Sequence, residues 1–399
     1  MMEILANGSV TSPQGFQAGA TYCGLKTGGL DLCVVYSERP CAAAGVFTRN
    51  QVQAAPIAVC REHLERGRVH GFVVNSGNAN ACTGEEGVAN AREMAALAAA
   101  RLGLPPDAML VASTGVIGVP LNMEKVRRGL ESIGLSPAGG HEAARAIITT
   151  DTTTKEIAVS LEVEGWKATI GGMCKGSGMI HPDMGTMLAF ITTDAAVDAG
   201  FLDQALRNAV EASFNMITVD GDTSTNDTTL VLANGSVGNP RISAGSAAAS
   251  ALQEALEHVC RHLAISIARD GEGASKLLEV DVRGAISLQE ARLAARTVAG
   301  SSLFKAAVYG ADPNWGRILA AAGRSGATVD QTKADIWIGD VQLMKGGQIL
   351  RFDRNQAATN MRGPEVRVLV DLHLGEGEAT AWGCDLTERY VEINAEYTT

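Results

Sequence analysis

The sequence predicts an α/β (α+β) protein with substantial sheet, on three observations. Short apolar runs of strand length alternate with helix-periodic segments along the whole chain. The 45 glycines provide for many tight turns between them. Hydrophobic residues make up 46% of 399, enough for a large core, while aromatics are only 4%, few for a protein that reads bases by stacking.

The elements follow in order. Phe72-Val73-Val74 and Met109-Leu110-Val111-Ala112 are strand-like, each ending in a Ser/Gly/Asn turn cluster. Between them, 85–102 is rich in Ala, Met and Leu and stops at Gly103 and Pro105-Pro106, which predicts a helix. Met123, Val126, Leu130 and Ile133 recur at helical spacing behind Asn122, a good N-cap. Met187 to Ile191 is an apolar strand. In the second half, 203–214 and 244–268 predict helices, and 229–232 and 277–282 predict strands. Ser287 and Glu290 have the spacing of a capping box opening a helix to about Val298. From 334 onward the pattern is mostly strand: 336–338, 366–374 and 390–393.

Composition narrows the function. A net charge of −11 with no basic cluster beyond pairs such as Arg127-Arg128, on a solvated helix face, argues against a nucleic-acid partner. No run of 18 apolar residues predicts a membrane helix, and the start lacks a basic region followed by an apolar one, so a cytoplasmic location is expected. Eight scattered cysteines without a C-x-x-C pair are expected to be free thiols. No phosphate-cradling glycine motif supports a nucleotide cofactor, and no cofactor is expected.

The chemistry concentrates in Lys175-Gly176-Ser177-Gly178-Met179-Ile180-His181-Pro182-Asp183-Met184-Gly185-Thr186, followed by the apolar strand. A small residue before a threonine at the mouth of a buried strand suits autoproteolysis. Gly185 leaves room for the Thr186 hydroxyl to attack the Gly185 carbonyl. The α-amine so freed has a pKa near 8 and can act as general base to its own hydroxyl. The dipeptide alone reads as an ordinary strand start, where β-branched residues are common.

This stretch closely resembles the autocleavage motif of the ornithine acetyltransferase family, also called glutamate N-acetyltransferase, of arginine biosynthesis. The resemblance runs through Gly45-Val46-Phe47-Thr48-Arg49-Asn50, Asn75-Ser76-Gly77-Asn78-Ala79-Asn80 and Ser113-Thr114-Gly115-Val116-Ile117-Gly118. It continues in Thr218-Val219-Asp220-Gly221-Asp222-Thr223-Ser224-Thr225-Asn226-Asp227, Asp312-Pro313-Asn314-Trp315-Gly316-Arg317 and the last six residues. It departs at Gly185 and Asp183, where the family usually carries Ala and Asn.

The resemblance implies a self-cleaving threonine-nucleophile fold shared with certain aminopeptidases, its sheets flanked by helices. It implies an α chain 1–185 and a β chain 186–399, associated as a heterotetramer. The implied activity moves an acetyl group from N²-acetylornithine to glutamate by a ping-pong route through Thr186. Thr114 and Gly115 are implied as the oxyanion hole. Thr152, Lys175, Thr186, Glu272, Asn394 and Thr399 are implied as substrate contacts. Acetyl-CoA stays open as a further donor, because one- and two-function members look alike in these motifs. An amidase or aminopeptidase with water as acceptor, and a non-catalytic binding relative, are the rival readings.

Two metal readings are weak. The carboxylates of Asp220, Asp222 and Asp227 with Asn226 lack the Gly and Glu of a calcium loop, and Asx turns explain them better. His258 and His262 flank Cys260 at helical spacing, but the intervening Glu of a zinc-protease helix is absent.

Overall fold

The computed structural model describes residues 2–181 and 187–396; Asp183, Gly185, Thr186 and Thr399 lie outside the described residues. The chain opens on β1 (Met2–Ile4), β2 (Phe16–Thr21), β3 (Leu32–Ser37) and β4 (Ala42–Phe47). Helix α1 (Ala55–Arg66) leads to β5 (Gly71–Asn78), and α2 (Gly84–Arg101) to β6 (Met109–Val116). Helices α3 (Met123–Ser132) and α4 (Gly140–Ile147) precede the hairpin of β7 (Lys155–Val163) and β8 (Trp166–Lys175). Next come β9 (Leu188–Thr193), α5 (Ala199–Glu211), β10 (Thr228–Ala233) and α6 (Ala247–Arg269). Strand β11 (Leu277–Ala285) is followed by α7 (Leu288–Ala299), α8 (Ser302–Tyr309) and α9 (Trp315–Gly323). The chain continues through β12 (Asp335–Ile338), β13 (Val341–Lys345), β14 (Gln348–Ile349) and α10 (Arg354–Asn360). It closes on β15 (Glu365–Asp371), β16 (Gly377–Cys384) and α11 (Glu388–Glu396).

The described strands form three sheets, so the α/β (α+β) class is observed. One sheet runs β2-β3-β5-β6, one β1-β7-β8-β9-β10-β4, and one β14-β13-β12-β15-β11-β16. In the sheet that holds them, β9 and β10 are buried on both faces. Successive residues of a strand point to opposite faces, and β9 and β10 divide accordingly. Leu188, Phe190, Leu230 and Leu232 enter a core shared with the first sheet. Ala189, Ile191, Val231 and Ala233 enter the core shared with α5 and α6. Phe190 stacks on Phe72 of β5 with ring centroids 4.4 Å apart, joining the two sheets. A strand buried on both faces reads as an unbroken apolar run, which is why Met187 to Ile191 was legible.

Caps place the helices. Asn122 accepts from Lys125 N at 3.1 Å and opens α3. Asp198 accepts from Gly200 N and Phe201 N, so α5 begins at Ala199, earlier than the periodicity from 203 suggests. Ser287 accepts from Glu290 N at 3.2 Å, but the Glu290 carboxylate turns to Thr328 N at 2.7 Å, so only half of the capping box forms.

The expected strand at 390–393 is instead part of α11. Alternating Tyr390-Val391-Glu392-Ile393 imitates a strand, yet no residue of α11 is buried, so the alternation reflects no buried face. Glu388 in the first turn suits the helix dipole, and Arg389 pairs with Glu392 at 2.9 Å. Helix α10 also interrupts the region expected to be mostly strand. The portions 1–185 and 186–399 are not separate layers, because β9 and β10 sit between β8 and β4 in one sheet.

Candidate active site

The first corner of the site lies where β5 and β6 end. They pair in parallel, and the register slips at Asn78, which faces both Thr114 and Val116. Gly115 takes φ of +132°, open essentially to glycine alone, and a Cβ there would stand 2.3 Å from the Gly77 carbonyl carbon and 2.5 Å from Asn78 N. The slip turns nearly buried Thr114 into the wall of a cavity. Asn226 clamps this corner from the loop before β10, donating to the Ala79 and Ser113 carbonyls at 2.6 and 2.8 Å.

The second wall grows from β8. Lys175 ends that strand, nearly buried, and lines the same cavity. Beneath it Asp151 accepts from Gly176 N and from Lys155 Nζ, both at 2.7 Å, and Lys155 also reaches Asp270 at 2.6 Å. Burial pushes the Asp151 carboxyl up, but Lys175, Lys155 and the Gly176 N–H outweigh it and hold it down at about 2. A carboxylate fixed so firmly keeps the Lys175 end of β8 in place.

Glu272 follows α6 on a loop tied to Ser177 O through its N–H at 2.8 Å. Its carboxylate accepts from the Thr150 hydroxyl at 2.7 Å and from Asn394 Nδ2 of α11 at 2.8 Å. Gly178 passes so close that a Cβ would fall 2.3 Å from the carboxylate. Asp220 accepts from Met179 N and Ile180 N at 2.6 and 2.8 Å and fixes the segment leading toward residue 186. Burial raises the Asp220 carboxyl, and burial together with the Asp220, Glu272 and Asp222 carboxylates raises the Tyr390 phenol.

Thr114, Gly115, Lys175, Glu272 and Asn394 thus share one cavity with Met187. Thr152 does not line it. That residue is exposed, and its N–H and hydroxyl both donate to Asp270, one step behind the wall. Gly185, Thr186 and Thr399 lie outside the described residues. The sequence reading missed Thr150, Asp220, Asn226, Asp227 and Tyr390 as wall residues. The signal was the polar run from Thr218 to Thr229, too long for an ordinary surface turn between two apolar segments.

Metal binding is a poor use of these groups. Asp220 is spent on backbone N–H groups and Asn226 on carbonyls, and no cluster among the described residues could hold an ion. His258 and His262 lie on α6, where burial and then the neighbouring His258 lower the proton affinity of His262.

This geometry can be compared with known proteins. The ArgJ family profile matches residues 17–399. The chain belongs to the ArgJ family. The arginine biosynthesis bifunctional protein ArgJ of Symbiobacterium thermophilum is 57% identical over 403 residues, spanning 100% of both chains. Its namesake from Dehalococcoides mccartyi is 51% identical over 401 residues, covering 100% of this chain and 99% of its own. The crystal structure of argJ from Bacillus halodurans, 46% identical, aligns with a TM-score of 0.51 over 97% of its chain and 52% of this one. In this chain the cavity is built from strand ends, the clamp loop before β10, the loop after α6 and α11.

Proposed function

We propose that the chain is the precursor of a self-processing acetyltransferase of arginine biosynthesis that moves acetyl from N²-acetylornithine to glutamate. The observation that carries this reading is the convergence of Thr114, Gly115, Lys175, Glu272 and Asn394 on a cavity that also holds Met187, the residue after Thr186. The names of the full-length relatives support arginine biosynthesis and more than one function. The solved Bacillus halodurans chain, spanning 52% of this one, fits a precursor divided near its middle.

In this reading Thr186 attacks the Gly185 carbonyl, and water hydrolyses the resulting ester to free the 186–399 chain. The Thr186 amine then takes the hydroxyl proton as Oγ attacks the acetyl carbonyl of the donor. The Thr114 hydroxyl and Gly115 N–H receive the charge that develops on the carbonyl oxygen. Lys175 pairs with a substrate carboxylate, while Glu272 and Asn394 receive the amine end of ornithine. Thr152 acts on Asp270 behind the wall, and Thr399 is a further substrate contact in this reading. Glutamate attacks the acetyl-threonine and leaves as N-acetylglutamate, with no cofactor. Acetyl-CoA is a second donor to the same threonine. The two chains stay paired in a cytoplasmic heterotetramer.

The test is mass spectrometry of purified protein. Fragments of 1–185 and 186–399 are expected, the second gaining one acetyl group at Thr186 on incubation with acetylornithine and losing it to glutamate. Thr186→Ala should remain intact and inactive. Label elsewhere, or transfer by intact Thr186→Ala, overturns the reading; clearance by water as fast as by glutamate makes the protein an amidase.

A further inference from the structure

One cavity group has no task in that scheme. Asp227 is 2% exposed and lines the cavity, yet its Oδ2 finds no hydrogen-bond partner, while Ser224 donates to its carboxyl. A buried carboxylate oxygen with no donor costs well over the worth of one ordinary hydrogen bond, so such an atom points to a proton or to a ligand. Its backbone is pinned on both sides. Asn226 is fastened to Ala79 and Ser113 at the corner that carries Thr114, and Thr228 N donates to Met187 O at 2.9 Å. Asp227 therefore stands between the oxyanion corner and the strand that follows Thr186.

We infer that Asp227 is a catalytic acid and base that gives a proton to the amine leaving the acetyl donor and takes one from the amine entering from the acceptor. The inference rests on the acetyl-threonine reading. The chemistry requires such a group, because a free amino acid arrives as an ammonium, which cannot attack until it loses a proton. In the first half, the Oγ–H bond of Thr186 breaks, the Oγ–acetyl bond forms and the amide C–N bond breaks. The departing nitrogen keeps its own hydrogen and gains two, one from the hydroxyl by way of the Thr186 amine and one from the Asp227 carboxyl. It leaves as an ammonium and Asp227 becomes a carboxylate. Glutamate reverses each step: its ammonium gives one proton back to Asp227 and one to Oγ, and the amide and the acid are restored together.

The surroundings suit this exchange. Burial raises the Asp227 carboxyl well above the ordinary range, bringing its proton affinity closer to that of an amine, while Ser224 and Lys175 pull it down and favour the carboxylate. Asp220, Asp222, Glu272 and Tyr390 are the other titratable groups on the cavity walls. Asp220 and Glu272 have backbone or side-chain donors of their own, and Asp227 Oδ2 has none.

The test compares Asp227→Asn with wild type, using two acetyl donors and following acetylation of the 186–399 chain. Acetylornithine needs a proton on its leaving group; 4-nitrophenyl acetate does not, because nitrophenolate departs as an anion. The variant should acylate from acetylornithine about 100-fold more slowly or worse, and from the aryl ester within a few-fold of wild type. Equal loss with both donors, or loss with neither, overturns the inference while the acetyl-threonine reading stands. No label on wild-type Thr186 from either donor sinks both. Should Asp227→Asn fail to fold or to cleave, Ser224→Ala keeps the carboxyl and removes its hydroxyl donor, leaving the Ser224 backbone N–H. The pH at which glutamate half-maximally deacylates that variant should then move upward, because the carboxylate is harder to form. An unmoved midpoint overturns the role of Asp227.

Discussion

Replacing Gly115 by alanine tests whether the slip between β5 and β6 shapes the site. Two costs add. A non-glycine residue held at φ of +132° costs about 1–3 kcal/mol. The new Cβ would also stand 2.3 Å from the Gly77 carbonyl carbon and 2.5 Å from Asn78 N, both backbone atoms with no flexible end to swing aside. Relief requires the two strand ends to part, at an overpacking cost of about 1–3 kcal/mol. The sum, about 2–6 kcal/mol, is a large share of the roughly 5–15 kcal/mol that holds a typical protein folded. Parting the strands also carries Thr114 away from the cavity, and a shift of about 1 Å at a reacting centre costs about 100-fold in rate. Urea unfolding at pH 7 should show a lower midpoint for Gly115→Ala, and acetyl transfer should fall in folded protein measured well below that midpoint. An unchanged midpoint with full activity would refute the tight contact.

Two further outcomes follow from the same geometry. Thr114→Ala should lower kcat by about 10²–10³-fold with a smaller change in KM for acetylornithine; movement of KM alone would make Thr114 a binding contact. The Asp151 carboxyl is held at about 2, below its ordinary 3.8, so its ion pairs add stability that is fully present above about pH 4 and lost as pH falls through about 2. That shift is worth about 2 kcal/mol. Urea midpoints between pH 5 and pH 2 should therefore fall less steeply for Asp151→Asn than for wild type, and parallel curves would contradict the assignment.

Much of the fold was legible because local signals agreed with tertiary structure. Asn122 and Ser287 cap the helices their spacing announces, and the apolar run after Met187 lies in a strand covered on both faces. Where local and tertiary signals diverge, the reading failed. Tyr390 to Ile393 alternate like a strand but form an exposed helix docked by Asn394 onto Glu272. The cavity was legible only residue by residue, through resemblance. Its walls are drawn from places as far apart as Thr114, Lys175, Met187, Asp227, Glu272 and Asn394, which no local spacing brings together. Asp227 was read as part of a polar turn because sequence reports charge and not depth of burial.

The pairing of β9 and β10 with their neighbours bears on what a break at 185/186 would leave behind. On one side β9 joins β8 through the register from Leu188 opposite Lys175 to Thr193 opposite Ile170. On the other, β10 joins β4 from Thr228 opposite Phe47 to Ala233 opposite Ala42. The two pieces are therefore stitched together along both seams of a single sheet, and neither keeps a complete core when alone. A cut precursor would still melt as one body. Its return from the unfolded state would be a meeting of two molecules, so its melting temperature would rise with protein concentration, as that of an uncut single chain does not.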